Sequence, residues 1–325
     1  MIEKIQSFVS KLDLFEKKDI LQVVGIIFIM LIVASAIFFI WGKLKPEKNL
    51  VELKQRTNSW WIMVVFFVLA VLLDRAVTFP AIGLLSFMAF RELYSILGFR
   101  DADRRAILWA ILAIPFQYYL AYIGWYEAFI ILIPVGMFLF VPIRLVLIGE
   151  TKGIIKSMAS LQWALMLTVF GISHLAFFLS LPERPKLPNF ENGGQGLLLF
   201  LVFITQINDV MQFIWGKLFG KHKIIPIVSP NKTWEGFIGG VISTIIIGYF
   251  LAFLTPLDTP QVLFASFLIA CSGFFGDIVM SAIKRDLGVK DTGSAIPGHG
   301  GILDRIDSLT YTAPVFFHLM YYWLY

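Results

Sequence analysis

Residues 20–41 read ILQVVGIIFIMLIVASAIFFIW, an apolar run without one charged side chain. A helix needs roughly 20 such residues to cross the ~30 Å hydrocarbon layer of a bilayer. The run has the length of a membrane span and is too long for a barrel strand. Working outward, comparable runs recur at 59–79, 81–98, 106–124, 127–148, 158–181, 195–216, 234–256, 261–283 and 306–325. Hydrophobic residues make up 58% of the chain and charged ones 15%, far from the balance of a water-soluble domain. The expected fold is all-α, a polytopic integral membrane protein with about nine to ten transmembrane helices.

Residues 1–19 carry mixed charges on a weakly amphipathic pattern and predict an interfacial segment ahead of a retained first helix. A secretory signal would show a shorter apolar region and a small-residue cleavage site. Residues 20–194 then form an N-terminal set of transmembrane helices, and 195–325 a C-terminal set with loops 217–233 and 284–305. The Pro- and Gly-rich stretch 182–196 marks the change between them.

The net charge of +5 does not imply nucleic acid, because the basic side chains collect in loops between spans. Loops 42–58, 99–105, 144–157, 217–233 and 284–305 hold most of them, while the connections 124–127 and 255–260 hold almost none. The positive-inside rule makes the basic set cytoplasmic and, for an even helix count, puts both termini outside. The lysines near the N-terminus pull the other way, and an odd count would remove the conflict. The expected location is a cell inner membrane. The one cysteine, Cys271, excludes an intramolecular disulfide and a cysteine-based zinc site.

The chemistry gathers in the second half. Asp277, Ser281, Lys284 and Arg285 fall at helical spacings toward the end of the ninth run. Asp304, Asp307 and Ser308 do the same at the start of the tenth. Between them lie Lys290, Asp291 and the turn Pro297-Gly298-His299-Gly300-Gly301. Carboxylates at two helix ends, flanking a basic, glycine-rich loop, suit a divalent cation and a polyphosphate. Magnesium prefers such oxygens, basic side chains neutralise the remainder, and glycines let backbone N–H groups approach phosphate. A loop that only sets topology would explain Lys284, Arg285 and Lys290. It would not explain acids near span ends, where each costs up to roughly 2.5–3.5 kcal/mol.

These residues also resemble the C-terminal motif of the phosphatidate cytidylyltransferase family. The matching positions are Ser281, Lys284-Arg285, Lys290-Asp291, Pro297 to Gly301, Asp304-Arg305 and Asp307. The segment Ser229-Pro230-Asn231-Lys232-Thr233-Trp234-Glu235-Gly236 resembles a second family motif. Physically it offers hydroxyls, a lysine and a glycine at a helix entry, an anion cradle. Its plainer reading is a cap from Ser229 or Thr233, with Trp234 in the interfacial aromatic belt. The resemblance implies a magnesium enzyme, likewise membrane-embedded and homodimeric, acting on CTP and phosphatidic acid in the lipid bilayer. It leaves open whether a second, monovalent cation shares the site. Asp277, Asp304 and Asp307 would correspond to the metal-site acids. Lys284, Arg285 and Lys290 would contact phosphates, with His299 free between glycines to act as donor or general acid. Asp209, Lys217, Ser229, Lys232, Thr233, Ser281 and Arg305 would bind substrate.

One segment departs from the family. Where relatives carry Asp-[Ser/Thr]-Gly-Ala-Tyr, this chain has Asp209-Val210-Met211-Gln212-Phe213. Asn208, Asp209 and Gln212 still make a polar face, which suits either a helix–helix hydrogen-bond cluster or a substrate contact. The pairs Asp74-Arg75 and Arg91-Glu92 are read as structural ion pairs between helices rather than as a wall of the site. His174 and His318 are expected to be packed, and His222 solvated. Two rival functions remain. A CTP-using lipid kinase shares the metal and triphosphate but has a hydroxyl acceptor. An ion or solute transporter predicts charges near mid-span.

Overall fold

The computed structural model describes residues 18–44, 51–183, 193–296 and 300–325. Most of the interfacial segment read at 1–19, part of the 182–196 stretch, and His299 lie outside the described residues. The helices are α1 (Lys18–Leu44), α2 (Val51–Leu72), α3 (Arg75–Ile96), α4 (Arg104–Tyr122), α5 (Tyr126–Val146) and α6 (Ile154–Leu181). They continue as α7 (Gly193–Phe219), α8 (Trp234–Phe250), α9 (Thr259–Asp286), a short α10 (Leu303–Ile306) and α11 (Leu309–Leu324). Each apolar run in the sequence falls on helix, the run 59–79 on parts of two, and the all-α expectation holds. Among the described residues six helices, α1, α3, α5, α6, α7 and α9, are long and apolar enough to cross a membrane. Two shorter apolar helical stretches, Thr57–Leu72 and Trp234–Phe250, stand beside these six, and the expected count of nine to ten is not reached by length and composition alone.

One boundary also moves. The second run breaks before Asp74, not at Pro80, which sits inside α3. Asp74 caps α3, its side chain accepting the Ala76 N–H at 2.7 Å, and the Thr78 hydroxyl donates back to the Ala70 carbonyl at 2.7 Å. Asp74 and Arg75 therefore sit at a helix junction. There Arg75 donates to the Tyr122 carbonyl at 2.8 Å and to the Ser180 hydroxyl at 2.9 Å, tying α3, α4 and α6 together.

The outer surface is apolar. On α1 alone Ile29, Ile32, Ile37, Phe39 and Ile40 are each more than half exposed. Leaving one such side chain in water forgoes about 1.5–3 kcal/mol of burial, against a total stability of about 5–15 kcal/mol for a typical domain. Dozens of exposed apolar side chains on these helices are intelligible only with lipid as the solvent. The protein is a multi-pass membrane protein.

Helix α6 runs through the centre, with 89% of its apolar window buried. On it Phe177 and Phe178, and around it Phe129, Phe200, Phe316 and Phe317, are all fully buried. His174 belongs to this cluster, with ring centroids 4.9 Å from Phe129 and 5.0 Å from Phe317. His318 reaches Tyr126, its Nδ1 3.3 Å from the phenol oxygen. Both histidines are packing residues, as expected.

Helices α7, α8, α9 and α11 form the second unit. The α7–α8 contact is close enough to exclude side chains: a Cβ at Gly236 would stand 2.8 Å from the Gln212 carbonyl oxygen, and one at Gly240 would stand 2.3 Å from Gln212 Cγ. Glycines one turn apart are what let two helix backbones approach this nearly in a membrane.

Candidate active site

The polar face of α7 is divided between packing and chemistry. Asn208 is a helix–helix strut: its amide donates to the Ala270 carbonyl at 3.2 Å, and its oxygen accepts the Thr244 hydroxyl at 3.1 Å. Asp209 and Gln212, on the same face, turn toward residues of loop 220–233 and of the turn before α11.

That loop is built from its backbone up. Lys223 and Thr233 form an antiparallel bridge, and the Ile224 N–H donates to the Lys232 carbonyl at 3.2 Å. Thr233 caps α8, accepting the Gly236 N–H at 3.1 Å, so the capping reading of this segment holds for Thr233. Glu235 then draws the loop base in, accepting the Lys221 N–H at 3.0 Å and approaching His222 Nδ1 at 2.5 Å. His222 is exposed, as expected, yet it is hydrogen-bonded rather than only solvated. Held on both sides, Lys232 points inward. Its Nζ lies 2.7 Å from Asp277 Oδ2, 3.1 Å from Gln212 Oε1 and 5.4 Å from the Phe274 ring centroid. Burial alone would lower the Lys232 pKa, but the Asp277 and Asp209 carboxylates outweigh it and hold the ammonium above its ordinary value.

Asp277 lies well before the end of α9 at Asp286, deeper than the sequence suggested. Its Oδ1 is 3.3 Å from the Ser281 hydroxyl. Asp209 Oδ2 accepts the Ser308 hydroxyl at 2.9 Å, whereas its Oδ1 is shut from solvent and has no hydrogen-bond partner. Asp307, in the turn before α11, completes the cluster. Burial first, then the neighbouring Asp277 and Asp209, push its pKa well above the usual carboxylate range. Among the described residues no three acidic, histidine or cysteine side chains converge as a ready metal cage. The Lys232 ammonium sits among these acids.

Asp304 stands apart from that cluster. Its Oδ1 accepts Lys284 Nζ at 2.8 Å. Its Oδ2 accepts the Thr292 N–H at 2.8 Å, the Thr292 hydroxyl at 3.0 Å and the Gly301 N–H at 2.9 Å. Burial works to raise its pKa, but Lys284 and these donors hold it below the ordinary value. The loop before it closes through the Ile296 N–H on the Gly300 carbonyl at 2.9 Å, with Gly300 at φ +83°. That left-handed backbone is open to glycine at little cost.

The remaining expected residues are dispersed. Arg285 is exposed and comes within 3.5 Å of the Val228 carbonyl on the other loop. Lys290 is exposed, and Lys217 lies outward with Nζ 5.7 Å from the Phe213 ring centroid. Ser229 helps form the turn, its carbonyl accepting the Lys232 N–H at 3.3 Å. Arg305 is half-buried with an unpartnered Nε. Sequence reasoning missed Thr292 and misjudged Glu92. Glu92 accepts the backbone N–H groups of Ile302 and Leu303, both at 2.9 Å, in place of a cation from a neighbouring helix. The signal was available: a carboxylate at the end of an apolar span must find donors.

The comparisons with known proteins bear on the whole arrangement. The chain is 41% identical over 302 residues to an uncharacterized protein, YnbB, of Escherichia coli strain K12, covering 92% of this chain and 97% of that one. It is 40% identical over 127 residues to a phosphatidate cytidylyltransferase of Staphylococcus haemolyticus, covering 38% of this chain and 49% of the relative. The corresponding enzyme of Staphylococcus saprophyticus is 39% identical over 130 residues, 39% of this chain and 50% of the relative. The matched stretch thus spans about half the length of these named enzymes. The profile of the Cytidylyltransferase family matches residues 54–323, which takes in α3 with Glu92, both polar loops and every acid of the site. With its acids and lysines gathered at one end of a membrane bundle and that match running through nearly all of it, the chain belongs to the cytidylyltransferase family of nucleotidyl-transferring enzymes.

Proposed function

We propose that this protein transfers the cytidylyl group of CTP to phosphatidate, releasing pyrophosphate and leaving CDP-diacylglycerol in the membrane. The observation that carries the reading is the meeting of Asp209, Lys232, Asp277 and Asp307 at one end of a lipid-facing bundle. Lys284 and Arg285 both lie about two turns further along α9 than Asp277.

The second pKa of a phosphate monoester is about 6, so phosphatidate arrives mostly as a dianion and needs no base. One of its oxygens attacks the α-phosphorus of CTP while the bond from that phosphorus to the bridging β-phosphate oxygen breaks. The electron pair of that bond leaves with pyrophosphate. The obstacle is bringing two polyanions together, and fixed cations overcome it by neutralisation and alignment. Arg285 and Lys290, exposed at the rim, are assigned to the triphosphate, and Lys284 supports them from beneath.

Magnesium is assigned to the acid cluster, whose three carboxylates do not form a ready cage among the described residues. Asp209, Asp277 and Asp307 offer hard oxygens, one oxygen of Asp209 is buried without a partner, and a lysine ammonium stands in as the local cation. Those three residues would hold the ion, which supplies charge neutralisation to the triphosphate when bound. Asp304, grouped with them by resemblance, is assigned instead to the loop, since both its oxygens are engaged by donors. Both basic loops are assigned to the cytoplasmic face of a cell inner membrane, where CTP is available.

The test is purified protein in lipid nanodiscs with CTP, phosphatidate and magnesium, following pyrophosphate and lipid products. Equal yields of CDP-lipid and pyrophosphate are expected. Phosphorylated lipid with CDP would replace this reading by a lipid kinase.

A further inference from the structure

We infer that Glu92 is a positioning residue of this site, a clamp through which the N-terminal half of the chain sets the geometry of the loop carrying Lys290 and Asp304. The inference rests on the cytidylyl-transfer reading above for its consequence, but not for its geometry. Glu92 lies near the end of α3, far in sequence from either polar loop. Its Oε1 accepts the Ile302 N–H at 2.9 Å. Its Oε2 accepts the Leu303 N–H at 2.9 Å and is 3.3 Å from the Thr292 hydroxyl.

The loop is shaped around this carboxylate. A Cβ at Gly301 would stand 2.5 Å from Glu92 Oε2, and one at Gly293 would stand 3.1 Å from Glu92 Oε1. Larger residues at either place would push the carboxylate away. The Thr292 hydroxyl lies between two acids, 3.0 Å from Asp304 Oδ2 and 3.3 Å from Glu92 Oε2. A hydroxyl has one proton, so the two carboxylates share it, and moving one disturbs the other. Asp304 in turn holds Lys284 at 2.8 Å. A continuous path of contacts therefore runs from Glu92 on α3 through the Thr292 hydroxyl and Asp304 to Lys284 on α9.

The chemistry also says why the residue is an acid and not an amide. Two adjacent N–H donors each need an acceptor, and a carboxylate offers two. Glutamine offers one oxygen and would turn an NH2 against the second N–H. Glu92→Gln should therefore behave nearly as badly as Glu92→Ala, although it keeps size and polarity.

The experiment uses the full chain in nanodiscs, with two readouts. Hydrogen exchange of the peptide 291–308 should quicken by at least about tenfold in both variants, with peptides of α7 and α8 unchanged. The kcat for CDP-lipid should fall by about tenfold or more, with KM for phosphatidate within about twofold of the parent. Unchanged exchange of 291–308 in Glu92→Ala would overturn the clamp, whatever the turnover. So would a loss of turnover matched by the loss of folded protein. If the chain makes a different product, the exchange readout still tests the clamp, so the two failures are told apart. Should Glu92→Ala not insert, Glu92→Asp keeps the charge but shortens the stem that carries the carboxylate to the Ile302 and Leu303 amides, and must give the same exchange signature.

Discussion

Replacing Asp304 by asparagine separates a loop staple from a metal ligand. Asp304 is buried and accepts four hydrogen bonds, one from Lys284 at 2.8 Å and three from Thr292 and Gly301 at 2.8–3.0 Å. Asparagine has a single oxygen. If that oxygen serves the three donors at Oδ2, its NH2 faces the Lys284 ammonium, donor against donor. A charge-assisted hydrogen bond of this kind contributes about 1.5–3 kcal/mol, and stripping one partner from a buried ion pair costs about 3–5 kcal/mol. The expected loss in Asp304→Asn is therefore about 3–5 kcal/mol, expressed mostly as local opening of residues 291–304. Hydrogen exchange and thermal unfolding in nanodiscs would measure it. Lys284→Gln combined with Asp304→Asn should recover part of that stability, because two neutral amides can pair, while turnover stays low without the lysine. The magnesium midpoint of any residual activity should stay near that of the parent. A stable Asp304→Asn protein whose magnesium midpoint rises many-fold would refute the staple and make the residue a ligand.

Three further outcomes follow from the same geometry. Asp277→Asn removes the partner 2.7 Å from Lys232 and one of the acids assigned to magnesium, so turnover should fall by about a hundredfold or more, with partial rescue at raised magnesium; unchanged kinetics at ordinary magnesium would remove Asp277 from the site. The Asp304 carboxyl is depressed by Lys284 and its N–H donors, so its contribution is fully present above the unfolded pKa of about 3.9 and is lost as pH falls through the lower folded value; exchange of 291–308 in Asp304→Asn should lack that acid transition, and a transition identical to the parent's would assign it elsewhere. With Cys271 replaced, a cysteine at Asn231 should resist impermeant thiol reagents in intact cells, and labelling from outside would reverse the orientation.

Much of this protein was legible in its sequence because the solvent is lipid. Apolar runs of spanning length admit one secondary structure, so every run seen in the sequence returned as helical, the second divided between two helices. The motif residues were equally legible, since acids, lysines and glycines near span ends have few purely structural uses. Where the spans break was less so. Pro80 attracts the boundary by composition, yet the Asp74 cap and the Thr78 bond to Ala70 set it earlier. What the tertiary structure alone decided is which acid meets which donor. The family resemblance grouped Asp277, Asp304 and Asp307 as one set, and helical periodicity could not check it, since it orders residues only along their own helix. Asp209 entered the cluster because the glycines of α8 let α7 approach, bringing the Gln212 face to Lys232. Asp304 is engaged by its own donors because the loop ahead of it turns the Gly301 and Thr292 backbone N–H groups onto that carboxylate. Glu92 joined from the other half of the chain because unpaired N–H groups at a membrane's edge take the nearest carboxylate in space, and distance in space is what no local pattern records.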